Sequence, residues 1–420
     1  MLRKWTFRAV IAYLLFGLAM YVYLFYIAQA AVPDSLKGTS VDPATFLNYR
    51  ELMLSEEYSK IRNLLFFLST PYEWLFYFLI LIFGISKGME KWAKNTSKFH
   101  VIQTAVYLFL LSVISFIATF PLSYISYRFS KAYHISTQNF SLWMKDEVID
   151  FWVGFIEMFI IVVVLYWLMK RFKKRWWLPA WLLSIPFMVF MMFIQPVVID
   201  PLYNDFYPLK NKELETKILA LAEKANIPAE HVYEVNMSEK TNSLNAYVTG
   251  IGSNARIVLW DTTLEQLNEE EILFIMAHEM GHYVEKHIYF GIAGYILLTG
   301  IGLWLASHIM SWWLRKHGKD LKVTGISQLS SLPLFLLITS MLLFVASPMT
   351  NWVSRYEEMR ADRYGMEMTR NKEAAIQTFH DLTKSGLSQV NPPLLVKIFR
   401  YDHPTMLERI RMVEDFETSK

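Results

Sequence analysis

A chain of 420 residues with 54% hydrophobic and 16% aromatic side chains, only 19% charged residues and a net charge of +3 carries too little charge for an ordinary soluble protein of its length. The small positive balance, with no basic run interleaved with aromatics, argues against a nucleic-acid partner. Cysteine is absent, which excludes disulfides, thiolate metal ligands and a thiol nucleophile, so a zinc site would have to use His and carboxylate.

Residues 9–27 form an apolar run behind Arg3, Lys4 and Arg8. A signal peptide is the competing reading, since Ala28-Gln29-Ala30 resembles a small-x-small cleavage site, but the run exceeds the usual signal core and reads as a retained first span. After a polar loop, apolar runs recur at 64–85, 101–125, 148–169, 176–196, 288–314 and 328–349. Each is long enough to cross roughly 30 Å of hydrocarbon at 1.5 Å per residue, which predicts seven spans. Sixteen Lys and Arg fall in the N-terminus and the loops at 86–100, 170–175 and 315–322, against seven in the longer alternate loops at 28–63 and 126–147. The positive-inside rule then puts the N-terminus in the cytoplasm and the polar region 197–287 outside it, with the C-terminal segment two spans later on the same side.

The expected organisation is a mainly α polytopic membrane protein with a small α+β zincin-like unit. It divides into a five-span region (1–196), an α+β region (197–287), a two-span hairpin (288–350) and a C-terminal helical part (351–420). Within 197–287, a helix fits 213–225, stopped by Asn226-Ile227-Pro228, and strands fit 232–237, 245–249 and 256–260. Gly250-Ile251-Gly252-Ser253-Asn254 joins the last two. A helix spans 268–287, with Asn268 as cap and Glu271 as its capping-box partner. Beyond the seventh span the pattern stays helical through Thr369, and two more helices fit 372–384 and 405–416 around Asn391-Pro392-Pro393.

The helix at 268–287 carries H-E-x-x-H as His278-Glu279-Met280-Gly281-His282. Four residues are slightly more than one turn, so both imidazoles leave one face, about 6 Å apart at Cβ. They can share one Zn2+, with Glu279 beside them to deprotonate water activated at the metal. A catalytic zinc keeps three protein ligands and one open position, so a further donor is needed. His287, nine residues from His278, falls about half a turn away on a continuous helix and reads as a helix-end residue. Ser354, Glu358 and Asp362 share a face on the helix that continues the seventh span, and could supply a ligand with a carboxylate behind a ligand histidine. A salt-bridged surface helix, with Arg355, Arg360 and Arg363 as partners, explains that spacing equally well.

The H-E-x-x-H pentapeptide followed by Ser354-Arg355-x-x-Glu358-x-x-Ala361-Asp362 resembles the integral-membrane zinc proteases of the type I CaaX prenyl endopeptidase family. Asp200-Pro-Leu-Tyr-Asn-Asp-Phe-Tyr-Pro-Leu209, Asn245-Ala246-Tyr247, Arg256-Ile-Val-Leu-Trp-Asp261 and His403-Pro404-x-x-Leu407-Glu408-Arg409 are similar to that family's blocks. The bacterial heat-shock membrane zinc proteases share the core motifs with fewer spans. The resemblance implies Glu358 as third zinc ligand, a seven-helix barrel around a water-filled chamber, and His403 as a catalytic group near the scissile bond. Asp362 holds a ligand imidazole or donates a proton. Asn245, Ala246 and Tyr247 would bind the peptide as an edge strand. Arg409 and Arg355 would brace these carboxylates or contact substrate, with structural salt bridges the simpler reading. The implied substrate is a peptide or protein, lipid-modified or membrane-associated in the eukaryotic relatives, and the implied partner is the lipid bilayer.

Two rival functions remain in view. A site-2-type intramembrane metalloprotease also uses H-E-x-x-H but sets that helix within a span, whereas Glu269, Glu270, Glu271, Glu285 and Lys286 suit an interface. A non-catalytic metal-binding transporter or scaffold would have no need of Glu279.

Overall fold

The computed structural model describes residues 2–229, 231–249 and 256–417, so the expected connection at 250–254 lies outside the described residues. Among the described residues, seven helices are long and apolar enough to cross a membrane, at Lys4–Ile27, Tyr49–Ile82, His100–Ala132, Phe140–Arg175, Trp177–Tyr203, His287–His317 and Leu329–Thr369. Each overlaps one of the seven predicted runs and extends beyond it at one end or both, although the second stops at Ile82, three residues before the predicted end at 85.

In element terms, α1 is Leu2–Val22, continued by a π-helical turn at Tyr23–Ile27. A short α2 (Pro43–Phe46) precedes α3 (Tyr49–Ile82), which starts on an Asn48–Glu51 capping box. Then come α4 (Ile85–Thr96), α5 (His100–Ala132), α6 (Phe140–Phe172), α7 (Trp177–Ile194) and the single turn α8 (Asp200–Tyr203). After the polar region, α12 (His287–His317) and α13 (Leu332–Thr369) complete the membrane part. Neighbouring contacts run α3–α5–α6–α7–α12–α13 and back to α3, a closed ring of six helices, and α1 lies along α3. At Gly17, an added Cβ would stand 3.0 Å from Leu68 of α3. Lipid tails are as apolar as leucine, so this ring is held by dispersion and by polar contacts between helices rather than by expulsion of water. Such contacts include Trp74 Nε1 donating to Ser340 Oγ at 3.0 Å and Trp181 Nε1 donating to the Ile296 carbonyl at 2.8 Å.

The polar region forms a four-stranded sheet where three strands were expected. Its order is β1 (Phe206–Pro208), β2 (Val232–Val235), β4 (Arg256–Trp260), β3 (Ala246–Thr249). β1 pairs antiparallel with β2, β2 parallel with β4, and β3 antiparallel with β4. β1 falls in the Asp-Pro-Leu-Tyr block, where a proline masked the strand pattern, and Pro208 sits on an edge strand, where a missing N–H breaks no ladder. The helix α9 (Lys212–Lys224), capped by Asn211, covers one face. Leu214, Ile218 and Ala222 pack there against Val232, Ile257, Leu259, Ile272 and Met276 in a core away from lipid. Full burial of each large side chain in that core contributes about 1.5–3 kcal/mol. The loop between α5 and α6 grips this unit. A Ser136–Thr241 bridge, Thr137 N donating to Lys240 O at 3.1 Å and a Lys240–Asp146 ion pair at 2.7 Å fix it over one end of the ring.

The turn α10 (Asp261–Gln266) leads into α11 (Glu269–Val284), which carries H-E-x-x-H and has both bonds of the expected Asn268–Glu271 capping box. α11 stops three residues short of the predicted end. Lys286 takes a left-handed backbone, φ 59°, and starts α12 in a new direction. The C-terminal part is α14 (Lys372–Ser385), α15 (Leu394–Phe399) and α16 (Met406–Asp415). α15 was not expected, because Pro392-Pro393 reads as punctuation, and here Pro393 is the residue just before the helix.

Candidate metal centre

α11 and α13 meet more extensively than any other pair of elements, and two glycines allow it. An added Cβ at Gly281 would stand 3.1 Å from the Ala361 Cα, and one at Gly365 would stand 3.1 Å from the Phe274 ring and 3.4 Å from the His278 nitrogen. With 38 residues, α13 is about 57 Å long, so it crosses the membrane and runs on past α11. The close approach brings Glu358 and Asp362 to the H-E-x-x-H face.

Nε2 of His278 and Nε2 of His282 lie 3.3 Å apart. Glu358 Oε2 is 3.3 Å from the first and Glu358 Oε1 is 3.4 Å from the second. One donor atom from each of the three residues lies within 4.8 Å of the others. The far nitrogens are occupied from behind. His278 Nδ1 is 2.8 Å from Asp362 Oδ1, though off the line of a hydrogen bond, and His282 Nδ1 is 3.0 Å from His287 Nδ1. Both Nε2 atoms are thereby left to face Glu358. Glu358 Oε2 is buried without a hydrogen-bond partner, as a carboxylate oxygen awaiting a cation would be. Two imidazoles and a carboxylate, with outer groups fixing the rings, form a donor set that fits zinc. The local charge agrees with that fit. Burial opposes a proton on His278, yet contact with Asp362, joined by Glu358, overcomes it and lifts the His278 pKa to about 10, so the pocket favours positive charge.

Asp362 is fully buried, and Arg409 clasps it with Nε to Oδ2 at 2.8 Å and Nη2 to Oδ1 at 2.5 Å. The Arg409 guanidinium, itself buried, lies 4.4 Å from the Phe379 ring centre. Of the two readings for Arg409, the brace matches this geometry: Nε and Nη2 both bond Asp362 and the side chain is buried. Asp362, likewise, faces His278 and Arg409 and presents no oxygen to the open side of the site. Among the described residues, Arg355 braces no carboxylate. Its Nη1 donates to the carbonyls of Lys397 at 2.9 Å and Tyr401 at 2.6 Å, which ties the segment before His403 to α13.

Glu279, next to His278 in the chain, is half-buried, and burial raises its pKa against the lowering pull of His278 and His282. The His403 side chain is 52% exposed, with Nε2 3.4 Å from Glu358 Oε1 and Nδ1 2.9 Å from Asp402 Oδ1. Burial opposes charge on His403, but the bond to Asp402 and the charge of Glu358 raise its pKa.

Asn245, Ala246 and Tyr247 stand at the sheet's β3 edge, with β3 packed on α11. Trp260 N donates to Asn245 O at 3.1 Å, so alternation along the ladder turns Tyr247 toward β4 and the backbone groups of Ala246 and Val248 outward. The Ala246 N–H is covered by Asn245 Oδ1 at 2.9 Å.

His287 is the residue sequence reasoning misplaced. A continuous helix would carry it half a turn from His278, whereas the break at Lys286 returns its ring to the back of His282. The signal was Glu285-Lys286 between two apolar patterns, which marks a change of helix.

A ring of membrane-crossing helices with a His-His-Glu cluster at one end, beside a glutamate and a sheet edge, defines an integral-membrane metalloprotease. α11 lies outside all seven spans, which removes the site-2-type arrangement. The model of peptidase family M48 matches residues 208–417, and that of the CAAX prenyl protease N-terminal region, described as five membrane helices, matches residues 10–205. The chain is 53% identical over 418 residues to the uncharacterized metalloprotease YhfN of Bacillus subtilis (strain 168), covering 100% of this chain and 98% of that one. It is 27% identical over 341 residues to CAAX prenyl protease 1 of Saccharomyces cerevisiae, covering 76% and 74%. The crystal structure of S. mikatae Ste24p shares the fold with a TM-score of 0.81, at 23% identity over 98% of each chain. The chain belongs to peptidase family M48 and is a multi-pass membrane zinc metalloendopeptidase.

Proposed function

We propose that His278, His282 and Glu358 hold one zinc ion and that Glu279 is the general base for hydrolysis of a peptide laid against β3. The observation that carries this reading is the convergence of two Nε2 atoms and an unpartnered carboxylate oxygen beside Glu279. Zinc, when bound, supplies a Lewis acid that polarises the scissile carbonyl and brings the pKa of water to about 7. Glu279 takes the proton of the attacking water and delivers it to the leaving amine, a role helped by a carboxyl whose pKa burial has raised. His403, half exposed beside Glu358, donates to the developing oxyanion. Asp362 positions His278, Arg409 holds Asp362, and His287 positions His282. The outward groups of Ala246 and Val248 bind the peptide backbone as an added strand, displacing Asn245 Oδ1 from the Ala246 N–H.

Substrates are membrane-associated or lipid-modified chains, a reading supported by the names of the CAAX prenyl protease relatives and by a site set over a ring of spans. Loop charge supports an extracytoplasmic catalytic region. The test is Glu279→Gln, which is expected to retain zinc and lose peptide cleavage by a factor of at least about 100. If wild type loaded with zinc cleaves no peptide and the variant behaves identically in cells, the proposal fails.

A further inference from the structure

The end of the ring opposite the metal centre, where α12 finishes about 46 Å from its start, gathers the sixteen Lys and Arg of the N-terminus and the loops at 86–100, 170–175 and 315–322. Those segments carry two carboxylates: Glu90, closed off by Lys87 and Lys94, and the exposed Asp320. A groove of about 450 Å³ runs into the membrane part from this end, between α1, α3, α13 and Trp313 of α12. Ala9, Ala12 and Phe16 of α1, Leu75 and Phe78 of α3 and Met341 of α13 line it, and no charged side chain does. The two alanines leave it open, and Met341 is 43% exposed along it. Apolar walls without neighbours lose dispersion contacts, so in a bilayer such a groove takes up an acyl chain.

Aromatic rings and cations mark the mouth. Trp5, about one turn before Ala9 on α1, sets its ring 6.4 Å from Phe78, 6.3 Å from Trp313 and 4.9 Å from His317. Trp312 is 50% exposed, with Lys316 Nζ 5.3 Å from its ring centre. Tryptophans at the end of a span sit at headgroup level. Lys4 and Arg8 on α1 and Arg315 and Lys316 on α12 all fall within about a turn of the Trp5–His317 contact. They are exposed and have no carboxylate partner among the described residues. From Trp5 to Phe16 is eleven residues, about 16 Å, which matches one leaflet, half of the roughly 30 Å hydrocarbon. Cations at headgroup level over a groove one leaflet deep fit a phospholipid with an anionic head, whereas a soluble phosphate would leave the groove empty.

We propose that this groove and its four cations seat one anionic phospholipid, which wedges α1 against α3 and α13. The site is separate from the metal centre and does not depend on the peptidase reading.

The test measures lipid binding to the full-length protein in detergent, using a fluorescent phosphatidylglycerol and a fluorescent phosphatidylcholine with the same chains. The anionic lipid is expected to bind about 10- to 50-fold tighter, since each engaged cation contributes about 5-fold. Arg8→Gln with Lys316→Gln should bring that ratio close to one. Lys173→Gln with Lys174→Gln, an equal loss of charge on an exposed turn at the same end, should leave the ratio unchanged. Ala12→Phe, which fills the groove, should weaken both lipids about tenfold, and Ala12→Leu serves where the larger ring does not fold. Phosphatidylglycerol should also raise the thermal midpoint of wild type, and raise that of Arg8→Gln with Lys316→Gln much less. Equal affinity for the two lipids in wild type, an equal fall in ratio in both charge variants, or full affinity in the folded Ala12 variants overturns the proposal. So does inorganic phosphate that binds as tightly as the lipid, since the cations would then hold a phosphate without the groove.

Discussion

Asp362→Asn separates two jobs that one carboxylate performs. The side chain is fully buried and holds both the His278 ring and the Arg409 guanidinium, whose own side chain is 7% exposed. Asparagine keeps the volume and removes the charge, which leaves a buried guanidinium without its counter-ion. Removing one partner of a buried ion pair costs about 3–5 kcal/mol. Separately, His278 loses an anionic neighbour that orients its ring and strengthens its Nε2 as a donor, a change that typically lowers metal affinity about 10- to 100-fold. The two effects come apart in a double variant. Asp362→Asn with Arg409→Met removes both charges and is expected to recover most of the lost stability while zinc affinity stays low. Stability is read by chemical unfolding of the chelated protein, because bound metal would add its own linkage. Zinc affinity is read by competition with a chromophoric chelator. Unchanged affinity in Asp362→Asn would refute the orienting role, and no recovery in the double variant would refute the ion-pair argument.

Three further outcomes follow from the same geometry. His287→Ala removes the acceptor behind His282 and should weaken zinc binding about tenfold, with partial recovery in His287→Gln; equal affinities for both would refute the contact's importance. Gly281→Ala sets a methyl 3.1 Å from backbone that cannot yield without moving α13, so it should cost about 1–3 kcal/mol and lower zinc affinity, against the gain of up to about 1 kcal/mol that an exposed helical glycine would give; a stabilised variant with normal zinc binding would show that the helices have slack. Glu90 on α4 is 1% exposed, and although burial opposes its charge, Lys87 and Lys94 hold its pKa below the ordinary 4.5. A depressed folded pKa means that this stabilisation is complete above 4.5 and is lost as pH falls through the lower folded value. The difference in thermal midpoint between wild type and Glu90→Gln should therefore shrink on acidification from pH 7, and a constant difference would refute the pairing.

The sequence alone determined what depends on neighbours along the chain. Seven apolar runs became seven membrane helices, because a helix in lipid satisfies its own backbone and needs only length and composition. The i, i+4 spacing put His278 and His282 on one face, and Asn268 with Glu271 set where α11 begins. Tertiary structure decided what depends on surfaces meeting. Glu358 could have been a salt-bridged surface residue until Gly281 and Gly365 let α13 close on α11. Arg409 could have met substrate until α16 delivered it to Asp362, 47 residues away in sequence. His287 looked half a turn out of place until one left-handed residue, Lys286, turned the chain back. β1 was invisible because three residues ending in proline have no period of their own and form a strand only against β2. Periodicity is written locally and can be read; which faces then come together is a property of the packed chain.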